Sequence, residues 1–224
     1  MRLLVALVAL ILLARPVAAG TPDLALVLAI DGSASVDAAE FDLQVEGLAA
    51  AFRDGEVLRA IAAGPTGAIL VTVLQWAGPG QQDHAVPWTR VDGPATAEAF
   101  AQALEAMPRF VSGATAIGAA LRAAAALFAG IPAERRVIDV SGDGKDDRSL
   151  PLAAVRAAVL AQGITINGLA IDNEEPDLLA HYQSQVIGGP GAFALRAADY
   201  RDFAVAIREK LKREIGGALV AAAE

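Results

Sequence analysis

Residues 24–35 read LALVLAIDGSAS. The first seven are apolar without a break, the pattern of a strand covered on both faces rather than one facing water. Asp31-Gly32-Ser33-Ala34-Ser35 follows at once, so a buried strand ends in a loop rich in oxygen-bearing side chains. A helix is predicted next, over 37–53. Asp37 stands at its cap, Glu40 sits three residues later as in a capping box, and Phe41, Val45, Leu48 and Phe52 recur at helical spacing.

The same alternation continues outward. Strands are predicted at 68–76 (AILVTVLQW), 84–91, 135–141 (RRVIDVS), 164–171 (ITINGLAI) and 192–196. Helices are predicted at 95–107, 115–129, 151–162, 175–187 and 199–215, the last capped by Asp199. Gly78 to Gln82 is turn-like, so 84–91 returns as a hairpin on 68–76. Buried strands alternating with helices imply an α/β fold: a doubly wound, mostly parallel open sheet with one antiparallel edge strand and helices on both faces. In such sheets ligands bind beyond the carboxyl ends of the strands, which directs attention to Asp31, Gly142 and Asp172 onward.

The chain has 224 residues, 55% hydrophobic, with no Cys and a formal charge of −8. No Cys means no disulfide and no thiolate chemistry. The acidic balance disfavours nucleic acid as a partner, because phosphate binding needs clustered Lys and Arg. Residues 1–19, MRLLVALVALILLARPVAA, have a basic start, an apolar run from Leu3 to Ala14, a Pro and small residues at the end. That is the build of a cleaved secretory signal, with too short a run to span a bilayer. The expectation is an exported protein, periplasmic or extracellular, with a single domain over 20–224 and no stable membrane span after cleavage.

Three segments gather oxygen. Asp31, Ser33 and Ser35 alternate with small residues, so their side chains point one way from an extended loop. Ser112-Gly113-Ala114-Thr115-Ala116-Ile117-Gly118 puts Thr115 ahead of a helix. Ser141-Gly142-Asp143-Gly144 ends a strand. Carboxylates and hydroxyls without Cys or His suit Mg²⁺, Mn²⁺ or Ca²⁺. DGSAS, SGATAIG and SGDG, in this order and at strand ends, resemble the metal-ion-dependent adhesion site of von Willebrand factor type A domains. QWAGPG at 75–80 and PWT at 87–89 belong to the same likeness. The resemblance spans about residues 22–215 and is nearest to small secreted bacterial members of unknown function. The family often has Thr-Asp-Gly where this chain has Gly142-Asp143-Gly144, but Asp143 is kept.

The resemblance implies a metal held by Asp31, Ser33, Ser35, Thr115 and Asp143: Ser33 and Ser35 bind directly, Thr115 binds when a ligand is present, and Asp31 and Asp143 act through water or alternate as ligands. It also implies a protein partner that donates a Glu or Asp carboxylate to the ion, and a binding module rather than an enzyme. Two alternatives stand beside it: a hydrolase using Ser33, Ser35 or the bound metal, with His84 or His181 as base, and a metal-free scaffold. Asp139, mid-strand, competes with Asp143 for its role. Asp146 and Asp147 read as solvated loop charges, and Arg208, Lys210, Lys212 and Arg213 as a solvated basic face. Trp76 and Trp88 are placed to stack across the hairpin.

Overall fold

A computed structural model describes residues 20–147, 150–173 and 175–221; the signal expected at 1–19 lies outside them. Six strands form one sheet in the order β3-β2-β1-β4-β5-β6. They are β1 (Leu24–Asp31), β2 (Ile69–Trp76), β3 (Gln82–Val91), β4 (Arg135–Gly142), β5 (Ile164–Ile171) and β6 (Ala194–Ala197). All run parallel except β3, which pairs antiparallel with β2 at the edge. This is the predicted α/β architecture.

Alternate residues of β1 feed two cores. Leu24, Leu26, Leu28 and Ile30 face a layer built from α1 (Ala38–Arg53), α2 (Gly55–Ala62), α3 (Pro94–Glu105) and α7 (Phe203–Ala221). Ala25, Val27 and Ala29 face α4 (Ile117–Ala126), α5 (Leu152–Leu160) and α6 (Leu178–His181), the last running into a single π turn at Tyr182–Val186. The capping box of α1 forms as predicted: Glu40 N donates to Asp37 Oδ1 at 2.8 Å and Asp37 N to Glu40 Oε2 at 2.9 Å.

Several expectations are corrected. α2, missed in the sequence, is capped by Asp54, which accepts from Glu56 N at 2.7 Å. The helix predicted at 175–187 starts only at Leu178, after Asp177 in a left-handed conformation (φ 64°). Asp199 caps a turn rather than α7: its Oδ1 accepts from Arg201 N and Asp202 N, and α7 begins at Phe203. The tryptophans do not stack on each other. Trp76 is fully buried and donates to Ala29 O, whereas Trp88 packs against Phe128 and donates to Leu127 O.

The basic face on α7 is not uniformly solvated. Lys210 is fully buried, 2.6 Å from Asp139 Oδ1, and ion-pairs with Glu214. Asn167, beside Asp139 in the β4–β5 register, donates to Glu214 Oε1 at 2.9 Å. Lys212 reaches Glu56 and Glu209. Asp139 therefore serves to dock α7 on the sheet and is not part of the oxygen cluster.

Candidate metal centre

The strand order reverses between β1 and β4, and their carboxyl ends open the crevice where such sheets bind ligands. Asp31 is the last residue of β1, and Asp143 follows the last residue of β4. Asp31 Oδ1 accepts from Ser33 N at 2.7 Å, a tight turn that reverses the chain at the strand end. Ser33 Oγ lies 3.1 Å from Ser35 Oγ, and Ser35 Oγ donates to Asp143 Oδ1 at 2.8 Å. Thr115 stands against Gly144: a Cβ at that glycine would lie 3.0 Å from Thr115 Cγ2 and 3.2 Å from its Oγ1. The structure thus brings all five predicted side chains to one crevice. Asp31, Ser33 and Asp143 are buried, Thr115 is half-buried and Ser35 is exposed, so the cluster has an open side.

Asp31 Oδ2 is buried and has no hydrogen-bond partner. A Cβ on Gly142 would lie 2.6 Å from that oxygen and 3.0 Å from both Trp76 Cζ2 and the Tyr182 hydroxyl, so only glycine lets β4 pass this close. Burial, and then the charge of Asp143, push the Asp31 carboxyl up from 3.8 to about 7. A carboxylate stranded in a buried site beside a second one is unfavourable unless a cation joins them. Two carboxylates with three hydroxyls, and neither nitrogen nor sulfur, fit a hard divalent cation. Among the described residues no cluster of three or more His, Asp or Glu side chains offers a competing site.

Groups that the sequence did not point to hold this cluster in place. Tyr200 donates its hydroxyl to Asp143 Oδ2 at 3.0 Å; burial and the two aspartates raise its pKa far above the ordinary value. Arg109 Nη2 donates to Gly32 O at 2.8 Å and Ser33 O at 2.7 Å, and its Nε to Val111 O. Gln44 Nε2 donates to Asp31 O. The loop at 112–118 is tied on both sides: Ala34 N donates to Gly113 O at 2.7 Å and Asp147 N to Thr115 O at 2.8 Å. Gly113, at φ 157°, also leaves room for Gln81, whose Oε1 would lie 2.0 Å from a Cβ there. Asp146 is accordingly not a solvated charge: its Oδ1 accepts from Gly118 N in the first turn of α4.

Serine–histidine chemistry finds no support. His84 lies 2.6 Å from Thr72 Oγ1 on the edge hairpin, and His181 Nε2 is buried without a partner. Neither histidine hydrogen-bonds to Ser33 or Ser35, so the histidine base that this chemistry needs is not within reach of either serine among the described residues.

Sheet order, antiparallel edge and strand-end cluster define a von Willebrand factor type A-like α/β fold. Solved structures agree. Proximal thread matrix protein 1 from the mussel byssus, with a zinc-occupied MIDAS motif, matches at TM-score 0.69 and 14% identity over 88% of this chain and 48% of its own. A von Willebrand factor type A protein from Catenulispora acidiphila matches at TM-score 0.61 and 18% identity over 87% and 43%. The vWF domain of the pilus tip protein Mfa5 from Porphyromonas gingivalis matches at TM-score 0.60 and 10% identity over 89% and 97%. The chain spans less than half the length of the first two. The chain belongs to the family described as "Protein of unknown function (DUF1194)", which matches residues 21–219. No curated protein sequence matches it.

Proposed function

We propose that this chain is an exported, divalent-cation-dependent protein-binding module, periplasmic or extracellular, and not an enzyme. The observation that carries the reading is the buried, unpartnered Asp31 Oδ2 beside Asp143 in the crevice between β1 and β4. Ser33, Ser35 and Thr115 would hold Mg²⁺, or Mn²⁺ or Ca²⁺, with the two aspartates bound directly or through water. The ion would supply a positive, ligand-accepting centre. With only two carboxylates around it, it would keep affinity for an anionic oxygen from outside, and a Glu or Asp side chain of a partner protein supplies one. A chain of net charge −8 repels acidic surfaces, so a bound cation gives it local complementarity to them. Export rests on the pattern of residues 1–19. Among the described residues no helix is long and apolar enough to cross a membrane.

The test is calorimetric titration with Mg²⁺, Mn²⁺ and Ca²⁺ beside a Ser33→Ala/Asp143→Ala variant, followed by capture of partners with and without chelator. Saturable binding lost in the variant, with chelator-sensitive capture, is expected. Association that persists unchanged in chelator would leave only a metal-free scaffold.

A further inference from the structure

Beneath α7 a primary amine and two carboxyl groups meet in a dry space. Lys210 and Glu214 have fully buried side chains, and Asp139 is 2% exposed. Val137, Leu169, Ile207 and Leu211 belong to the apolar layer between α7 and this face of the sheet. Lys210 Nζ lies 2.6 Å from Asp139 Oδ1 and also contacts Glu214 Oε1. The centroid of the Phe193 ring is 5.4 Å from the same nitrogen, and the Arg213 guanidinium covers that ring at 3.8 Å.

As ions these three groups are unbalanced. Two carboxylates and one ammonium leave a net negative charge out of water, and an ion pair at this depth gains little over neutral groups. Burial, and then the charge of Asp139, push the Glu214 carboxyl up, toward its protonated form. Neither oxygen of Asp139 has a hydrogen-bond partner among the described residues. The carboxyl carbon is one bond beyond Oδ1, so Nζ lies within about 3.8 Å of it. That is close to the separation of about 3–3.5 Å from which a bond can form. Asn167, beside Asp139 in the β4–β5 register, is held at both ends of its amide. It donates to Glu214 Oε1 at 2.9 Å and accepts from Phe193 N at 3.1 Å, which fixes Glu214 next to the amine.

We infer that Lys210 and Asp139 condense to an isopeptide bond, with Glu214 as the proton relay. A proton first passes from Lys210 Nζ to Asp139 along the 2.6 Å contact. This leaves a neutral amine and a neutral carboxyl, as a site without water favours. The nitrogen lone pair then attacks Asp139 Cγ. Glu214 takes the proton that the nitrogen sheds, while the proton it already carries goes to the departing hydroxyl. The C–N bond forms, the C–O bond breaks, one water leaves, and Glu214 ends protonated as it began. No oxidant, reductant or activating group is consumed. The new amide N–H donates to Glu214 Oε1 where the ammonium did before. The bond ties the middle of β4 to α7 and closes residues 139–210 into a loop, a covalent staple in a chain that has no Cys. It does not depend on the metal reading.

The test digests the purified, denatured protein with a protease and weighs the fragments. A branched species joining the peptides that hold Asp139 and Lys210 is expected, lighter than their sum by one water, about 18 Da. Lys210→Arg keeps the charge but cannot condense in this way, so it should restore the full mass and lower the unfolding temperature. Glu214→Gln keeps both reacting groups and should leave most of the protein unlinked. Wild-type protein at full mass, with no branched species after prolonged incubation, would overturn the inference. A branch through Asn167, lighter by one ammonia, about 17 Da, would overturn the assignment to Asp139. Linkage in Glu214→Gln as complete as in wild type would overturn the relay. The wild-type fragments decide the bond itself even where a variant fails to fold.

Discussion

Replacing Asp31 by Asn should stabilise the protein in chelator and remove its response to divalent cations. Asp31 is fully buried, and its carboxyl is pushed up from 3.8 to about 7, first by burial and then by Asp143. A carboxyl with a raised pKa binds protons more tightly in the folded than in the unfolded chain, so its contribution to stability falls as pH rises from about 4 to about 7. At pH 8 the accumulated penalty reaches about 4 kcal/mol, of which about 2–3 kcal/mol accrues between pH 5 and pH 8. Asparagine keeps an oxygen to accept from Ser33 N and carries no charge. Its amide also offers a donor where Asp31 Oδ2 and the Tyr182 hydroxyl crowd the same point beside Gly142.

The assay is urea unfolding at pH 5 and pH 8, in chelator and in Mg²⁺. In chelator, wild type should lose stability between pH 5 and pH 8 from this group, and Asp31→Asn should not. At pH 8 the variant should gain up to about 4 kcal/mol over wild type in chelator. Mg²⁺ should stabilise wild type, more at pH 8 than at pH 5, and leave the variant unmoved. If Asp31→Asn is less stable than wild type in chelator at pH 8, the carboxylate is not held at a cost, and the argument for a cation fails with it.

Three further outcomes follow from the same contacts. Lys210→Met leaves Asp139 and Glu214 buried without their cation and should cost about 3–5 kcal/mol in urea unfolding; adding Glu214→Gln should recover part of it. Tyr200→Phe strips Asp143 Oδ2 of its donor, so it should lower stability by about 1–3 kcal/mol and change Mg²⁺ affinity in the calorimeter. Gly142→Ala drives a methyl group to 2.6 Å from Asp31 Oδ2, so a destabilisation of about 1–3 kcal/mol and loss of cation binding are expected, read by thermal unfolding with and without Mg²⁺.

The sheet was legible because its signals are local: unbroken apolar runs for buried strands, a capping box at Asp37 and Glu40, and turn residues before the hairpin. The five oxygen-bearing residues were legible because each ends a strand or precedes a helix. Their supports were not. Tyr200 reaches Asp143 across 57 positions and Asp146 reaches Gly118 across 28, and nothing in the local pattern of either segment requires the contact. α2 was missed because an eight-residue helix that buries only Val57 and Ile61 is too short to show a helical period.

The buried ion pair is a different case, since the pattern does contain it. Phe203, Ile207, Leu211 and Ile215 recur every four residues and mark the face of α7 that covers the sheet. Lys210 and Glu214 each stand three residues after a member of that stripe, so they lie on its flank and not on the solvent side. Asp139 sits in the middle of an apolar strand, where an unpaired carboxylate is costly enough to demand a cation from the covering layer. Periodicity places Lys210, with Glu214 four residues on, against that layer, whereas Lys212 falls on the outer side, where it meets Glu56 and Glu209. Treating 208–213 as one basic cluster averaged over the helical phase that separates these roles. Had the charged residues been given the same periodicity as the apolar ones, Asp139 would have been assigned to α7, and Asp143 would have been left without a rival in the metal centre.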